Sequence, residues 1–128
     1  MNKSYRKGYN FQRRVKKYLE EKGFEVIVRP RSQFPDITAY KPTGVILEFH
    51  FNDKEEEIVL NSEAYVVIDV ECKVNKYLTK KELAKAKERL NNHKCNVFFV
   101  AFRKNRQINF QLIGMYSVKN ENTPEYIR

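Results

Sequence analysis

The chain has two cysteines, Cys72 and Cys95, and neither belongs to a CxxC pair or stands near a closely spaced histidine pair. A disulfide scaffold and a thiolate zinc site are therefore not expected, and a reduced, intracellular chain is the simpler reading. Tryptophan is absent, and there are only four glycines and four prolines. No collagen-like, linker-like or low-complexity tract can be built from so few. No stretch approaches the roughly 18 apolar residues of a membrane span. The opening Met1-Asn2-Lys3-Ser4-Tyr5-Arg6-Lys7 is basic without an apolar run behind it, unlike a secretory signal. Acidic charge is also scarce: 16 Asp and Glu stand against 25 Lys and Arg, a net charge of +9. Such an excess attracts polyanions, with nucleic acid ahead of an acidic membrane surface, because no basic amphipathic segment with a large apolar face is present.

What is present suits one α/β domain over residues 1–128. Eight tyrosines and nine phenylalanines argue against disorder. Helical spacing of Phe11, Val15, Tyr18 and Leu19 predicts a helix from about Tyr5 to Lys22, stopped by Gly23. Short strands are expected at Phe24–Arg29, Asp36–Tyr40, Val45–Phe51, Glu57–Leu60 and Tyr65–Val74. Turn signals fall at Lys41-Pro42-Thr43-Gly44 and at Asn52-Asp53-Lys54, so residues 45–60 read as a β-hairpin insertion. Thr79 and Glu82 form a T-x-x-E capping box ahead of a helix to about Asn91, buried along Leu83, Ala86 and Leu90. Strands at Asn96–Phe102 and Gln107–Met115 follow, joined by a basic turn, and 117–128 reads as a polar, flexible tail. The expected architecture is a central mixed β-sheet flanked by helices.

The strand Val67-Ile68-Asp69-Val70-Glu71-Cys72-Lys73 carries the chemistry. Alternation puts Asp69, Glu71 and Lys73 on one face and Ile68, Val70, Cys72 and Val74 on the other, toward the core. Three charges on a central strand are costly to bury unless paired or metal-bound. Asp36, after Pro35, opens a neighbouring strand. Asp36 and Glu71 together are expected to hold a divalent cation, magnesium with manganese able to substitute. Lys73 would stand beside the same phosphate and stabilise developing charge. Phosphodiester hydrolysis needs these parts. The competing reading is a salt bridge on an exposed sheet face.

P-D, a gap, then E-x-K resembles the PD-(D/E)XK nuclease superfamily, whose restriction-endonuclease-like fold matches the expected sheet. Arg6-Lys7-Gly8 before a helix, Gly23-Phe24 before a strand, Ser32 four residues ahead of Asp36, and Glu71-Cys72-Lys73 resemble the archaeal Holliday junction resolvases. That resemblance covers about half of the chain. It implies a homodimeric, magnesium-dependent endonuclease that nicks two strands of a four-way DNA junction, from an archaeal or archaeal-virus source. It also implies a glutamate on the first helix where this chain has Gln12. Asp69 is the extra acid that could compensate, although a solvated or ion-paired strand residue is the favoured reading of it.

Further expectations attach to single residues. Ser32 would contact substrate phosphate or cap a turn. Tyr5, Arg6, Lys7, Arg29, Arg31, Lys76, Lys80 and Lys81 would bind DNA, with Tyr9 stacking or packing. His50 and His93 read as structural, and Cys72 and Cys95 as core residues. The acidic run Glu55-Glu56-Glu57 would repel DNA and keep the hairpin tip away from it. The competing functions are another nuclease on the same fold, such as a restriction or repair nickase, and a non-catalytic DNA-binding module.

Overall fold

Phe11, Val15 and Leu19 recur at a spacing of four, and in the computed structural model they form the buried stripe of α1 (Lys3–Glu21). The structure describes residues 3–30, 33–118 and 124–127, with side chains described over 8–30 and 33–116. Gly23 ends α1 with φ +93, a left-handed conformation that glycine adopts without strain. There follow β1 (Glu25–Val28), β2 (Ile37–Asp53), β3 (Glu56–Lys73), α2 (Lys80–Asn91), β4 (Val97–Lys104), β5 (Gln107–Val118) and β6 (Pro124–Ile127). The six strands form one sheet in chain order. Among the described residues only β3 and β4 run parallel, with α2 as their crossover. All other neighbours are antiparallel. The expected mixed sheet flanked by helices is thus present.

The two helices cover opposite faces of the sheet. The α1 stripe packs on Ile37, Ala39, Ile68, Val70 and Ala101. Ala86 and Leu90 of α2 pack with Cys95 and Phe98, and Phe34 and Val67 join them. Thr79 caps α2 in both senses: its hydroxyl accepts from the Glu82 N–H at 3.1 Å, and its own N–H donates to Glu82 Oε1 at 2.9 Å. Leu83, expected in the core, is only half-buried.

Two corrections concern the strands. The four short strands expected between residues 36 and 74 are two long ones, β2 and β3, paired from Ile37↔Val70 to Asp53↔Glu56. The apparent turn at residues 41–44 is absorbed as an irregularity between Pro42 and Ile46. Gly44 takes φ +81 there, and the Thr43 hydroxyl donates to the Ala64 carbonyl at 2.8 Å while accepting from Val45 N–H. Pro42 is tolerated because β1 pairs β2 only at residues 37–40, so no donor is missed on that edge. Val74, expected in the core, is 96% exposed, because β3 ends one residue earlier. Of the tail, Pro124–Ile127 pair with β5 as β6.

Beyond residues 42 and 65 the β2–β3 pair leaves the sheet as a two-stranded arm. β4 joins β3 only at 68–73, so both arm edges are open among the described residues. Removing the α2 cap with Thr79→Ala should lower stability by about 1 kcal/mol, measured by urea unfolding; an unchanged midpoint would refute the capping role.

Candidate active site

Asp36 and Glu71 are locked to each other through the backbone. The Asp36 N–H donates to Glu71 Oε1 at 2.9 Å, and the Cys72 N–H donates to Asp36 Oδ2 at 2.8 Å. The residue just ahead of β2 is thereby fixed against the end of β3. Glu71 is almost fully buried. Burial, the Asp36 charge and a hydrogen bond between the two carboxyl groups push its carboxyl up to about 9. Two carboxyls close enough to share a proton form a pair of hard-oxygen donors, the donor type that divalent cations of the magnesium class take. Among the described residues no group of three or more Asp, Glu, His or Cys converges on a common point.

Lys73 follows on the same face. Its ammonium lies 2.8 Å from Glu82 Oε1 on α2, with both side chains about three-quarters buried. Burial pushes the Glu82 carboxyl up, but Lys73 and the Thr79 N–H outweigh it and leave the group below its usual range. The same carboxylate therefore caps α2 and holds Lys73. The sequence exposed Glu82 only as a cap; nothing in the capping pattern names the lysine as its second partner.

Asp69, watched as a compensating acid, is instead enclosed. It is fully buried, Thr38 donates to its Oδ1 at 2.6 Å, and Arg89 of α2 is ion-paired with it. Among the described residues no cluster of three or more acids, histidines or cysteines joins it to Asp36 and Glu71. Arg29, expected on DNA, turns inward as well: its Nη1 donates to Thr38 Oγ1 at 2.5 Å and to the Pro35 carbonyl at 3.3 Å. Burial and the nearby Arg89 lower its pKa. Together these groups brace the loop that presents Asp36. The Arg29 N–H also donates to the Asp36 carbonyl at 2.8 Å.

Gln12 enters from the α1 side. With Gly8, Phe11, Cys72, Lys73, Val74 and Arg103 it lines a cavity of about 480 Å³ at the end of β3. Asp36 and Glu71 are not among its walls; Gln12 shares the cavity with Lys73. Arg103 in this cavity was read from sequence only as part of a basic turn. A larger groove of about 640 Å³ beside Gln12 carries Tyr9, Arg13, Arg14, Lys16 and Lys17 on the outer side of α1. Lys76, Lys80 and Lys81 are exposed around the start of α2, with the Lys76 ammonium 5.7 Å from the exposed Tyr77 ring. Ser32 and Arg31, and the side chains of Tyr5, Arg6 and Lys7, lie outside the described residues. Cys72 and Cys95 are unbonded thiols whose pKa values burial drives up, the character of core rather than reactive cysteines.

An α/β sheet with P-D at the head of one strand and E-x-K at the end of its neighbour is consistent with the restriction-endonuclease-like class. The chain matches the archaeal Holliday junction resolvase (Hjc) family model over residues 3–127, and it belongs to that family. No curated protein matches the chain. Family membership makes it a nuclease of DNA junctions. No helix among the described residues is long and apolar enough to cross a membrane.

Two measurements probe this geometry. Between pH about 4.5 and about 9 the folded chain keeps the Glu71 proton while the unfolded chain releases it. Raising pH through that window therefore favours unfolding. For the metal-free protein, the stability difference between Glu71→Gln and wild type should grow with pH across the window; a pH-independent difference would refute the raised carboxyl. Asp69→Ala leaves Arg89 and Thr38 buried without their acceptor and should cost about 3 kcal/mol or more by urea unfolding, whereas a solvated acid would cost almost nothing.

Proposed function

We propose that this protein resolves four-way DNA junctions by paired nicks, as a magnesium-dependent homodimeric endonuclease. The observation that carries the reading is the interlocked Asp36–Glu71 pair, held on the same face of β3 as Lys73.

Asp36 and Glu71 would hold the ion through carboxylate oxygens, with manganese able to replace magnesium. When bound, such an ion supplies positive charge against a phosphate and makes water a better nucleophile. The protein does the rest. The Asp36 and Cys72 N–H groups fix the direction of both carboxylates. Lys73 places a cation at the site where negative charge grows on the phosphate, and Glu82 keeps its ammonium from swinging into solvent. Gln12 lines the same cavity as Lys73 and would offer an amide to water or to a phosphate oxygen there. Arg13, Arg14, Lys16, Lys17, Lys76, Lys80 and Lys81 supply backbone contacts to DNA. The carbonyl-bound Arg29 acts on the loop instead. A homodimer follows from the symmetry of a junction cut twice.

A non-catalytic DNA-binding module is the second reading, favoured by Gln12 in place of an acid and by the absence of a third converging acid among the described residues. A synthetic four-way junction incubated with magnesium decides between them. Wild type should give paired, symmetric nicks. Asp36→Ala and Glu71→Ala should abolish them with junction binding retained, and Lys73→Ala should slow them by at least about 100-fold. Tight binding without cleavage in magnesium or manganese would overturn the enzyme reading.

A further inference from the structure

The loop from Val74 to Thr79 joins β3 to α2 and begins directly after Lys73. Two of its side chains are left out of the core. Val74 is 96% exposed and Tyr77 67%, the two most exposed large hydrophobic side chains among the described residues. Such residues scattered singly are ordinary, but these stand three positions apart beside the reacting centre. The backbone at Tyr77 is anchored: its N–H donates to Asn75 Oδ1 at 3.0 Å, which closes a turn across Lys76. Among the described residues no other ring packs on Tyr77, and the Lys76 ammonium stands 5.7 Å from its ring centre. Tyr77 is also a wall common to two cavities. One, of about 490 Å³, contains Lys73, Val74, Asn75 and Thr79. The other, of about 590 Å³, is lined by the half-buried Leu78, Leu83, Leu112 and Ile113, together with Lys76 and Gln111.

The two cavities suit different parts of one ligand. Phosphate fits the first, where Lys73 stands, and Lys76, Lys80 and Lys81 are exposed cations around the same loop. Among the described residues no acid lines either cavity. The second offers four aliphatic side chains, an aromatic ring and one amide, which have little to give a phosphate. A flat group with an apolar face and polar edges fits those walls, and a nucleobase is such a group. Duplex DNA does not readily supply one: lifting a base from the stack costs a few kcal/mol, least where the base is already unpaired. We infer that Tyr77 stacks on an unpaired base at a DNA branch point, beside the strand whose phosphate lies at Lys73, and so distinguishes branched DNA from duplex. Gln111 offers its amide to the edge of that base, and Lys76 meets the phosphate next to it. The branch as the source of the base, and the phosphate at Lys73, rest on the reading above; the stacking site rests on the loop and its two cavities.

Binding of the full chain in EDTA tests this without requiring a cut. The probes are a four-way junction carrying 2-aminopurine at the branch point and a duplex of the same sequence. Wild type should prefer the junction and quench the 2-aminopurine fluorescence on binding. Tyr77→Ala should weaken junction binding by on the order of 10-fold, leave duplex binding unchanged and abolish the quenching. Tyr77→Phe, which keeps the ring, should retain both the preference and the quenching. Lys76→Ala should weaken junction and duplex alike, as a phosphate contact does. The urea midpoint of Tyr77→Ala should match that of wild type, because the ring lies outside the core. A Tyr77→Ala chain that keeps the preference and the quenching, or that loses junction and duplex binding equally, would overturn the inference. A wild type with no preference for the junction overturns the junction reading and the inference with it. Absence of cleavage in magnesium, with preference and quenching intact, overturns the nuclease reading and upholds the stacking site.

Discussion

Two backbone N–H groups hold the centre of this protein together. The donation of Asp36 N–H to Glu71, answered by Cys72 N–H to Asp36, joins the residue ahead of one strand to the end of the next. Burial and the neighbouring Asp36 charge keep Glu71 protonated, since like charges in a low-dielectric site repel strongly. The surrounding architecture serves that pair. The Arg29–Thr38–Asp69–Arg89 chain holds the loop before β2, and it draws on both β2 and α2. The deep cores on either face keep β3 from shifting register, which would swap Glu71 and Lys73 to the wrong side.

The distribution of charge divides the molecule into two regions. Cations gather on the outer side of α1 and around the start of α2, bracketing the end of β3. Anions gather on the arm, beyond the reach of either helix. A polyanion meeting this surface is drawn toward the strand end and turned away from the arm. The arm could be extended from the sheet without disturbing the site because only the β2–β3 ladder connects them.

Much of this was legible in the sequence. Period-two alternation placed Glu71 and Lys73 together, and Pro35-Asp36 marked the neighbouring strand; both are local patterns. The capping box at Thr79 was readable for the same reason. The partners of Asp69 were not, because Thr38 and Arg89 come from 31 and 20 residues away and nothing local announces them. Arg29 looked like a surface cation for lack of that network. The strand count was misjudged at Pro42-Thr43-Gly44, whose composition is that of a turn although the ladder resumes on the other side. Val74 was placed in the core by an alternation that the strand does not live long enough to continue.

Glu82 answers to two masters, the first turn of α2 and the ammonium of Lys73. Secondary structure and chemistry are therefore completed by one side chain. A chain in which α2 has not yet formed has no anchored lysine, even where β2 and β3 have paired. The crossover that closes the parallel β3–β4 pair thus also fixes where the Lys73 ammonium stands, so the order of folding sets when that charge is placed.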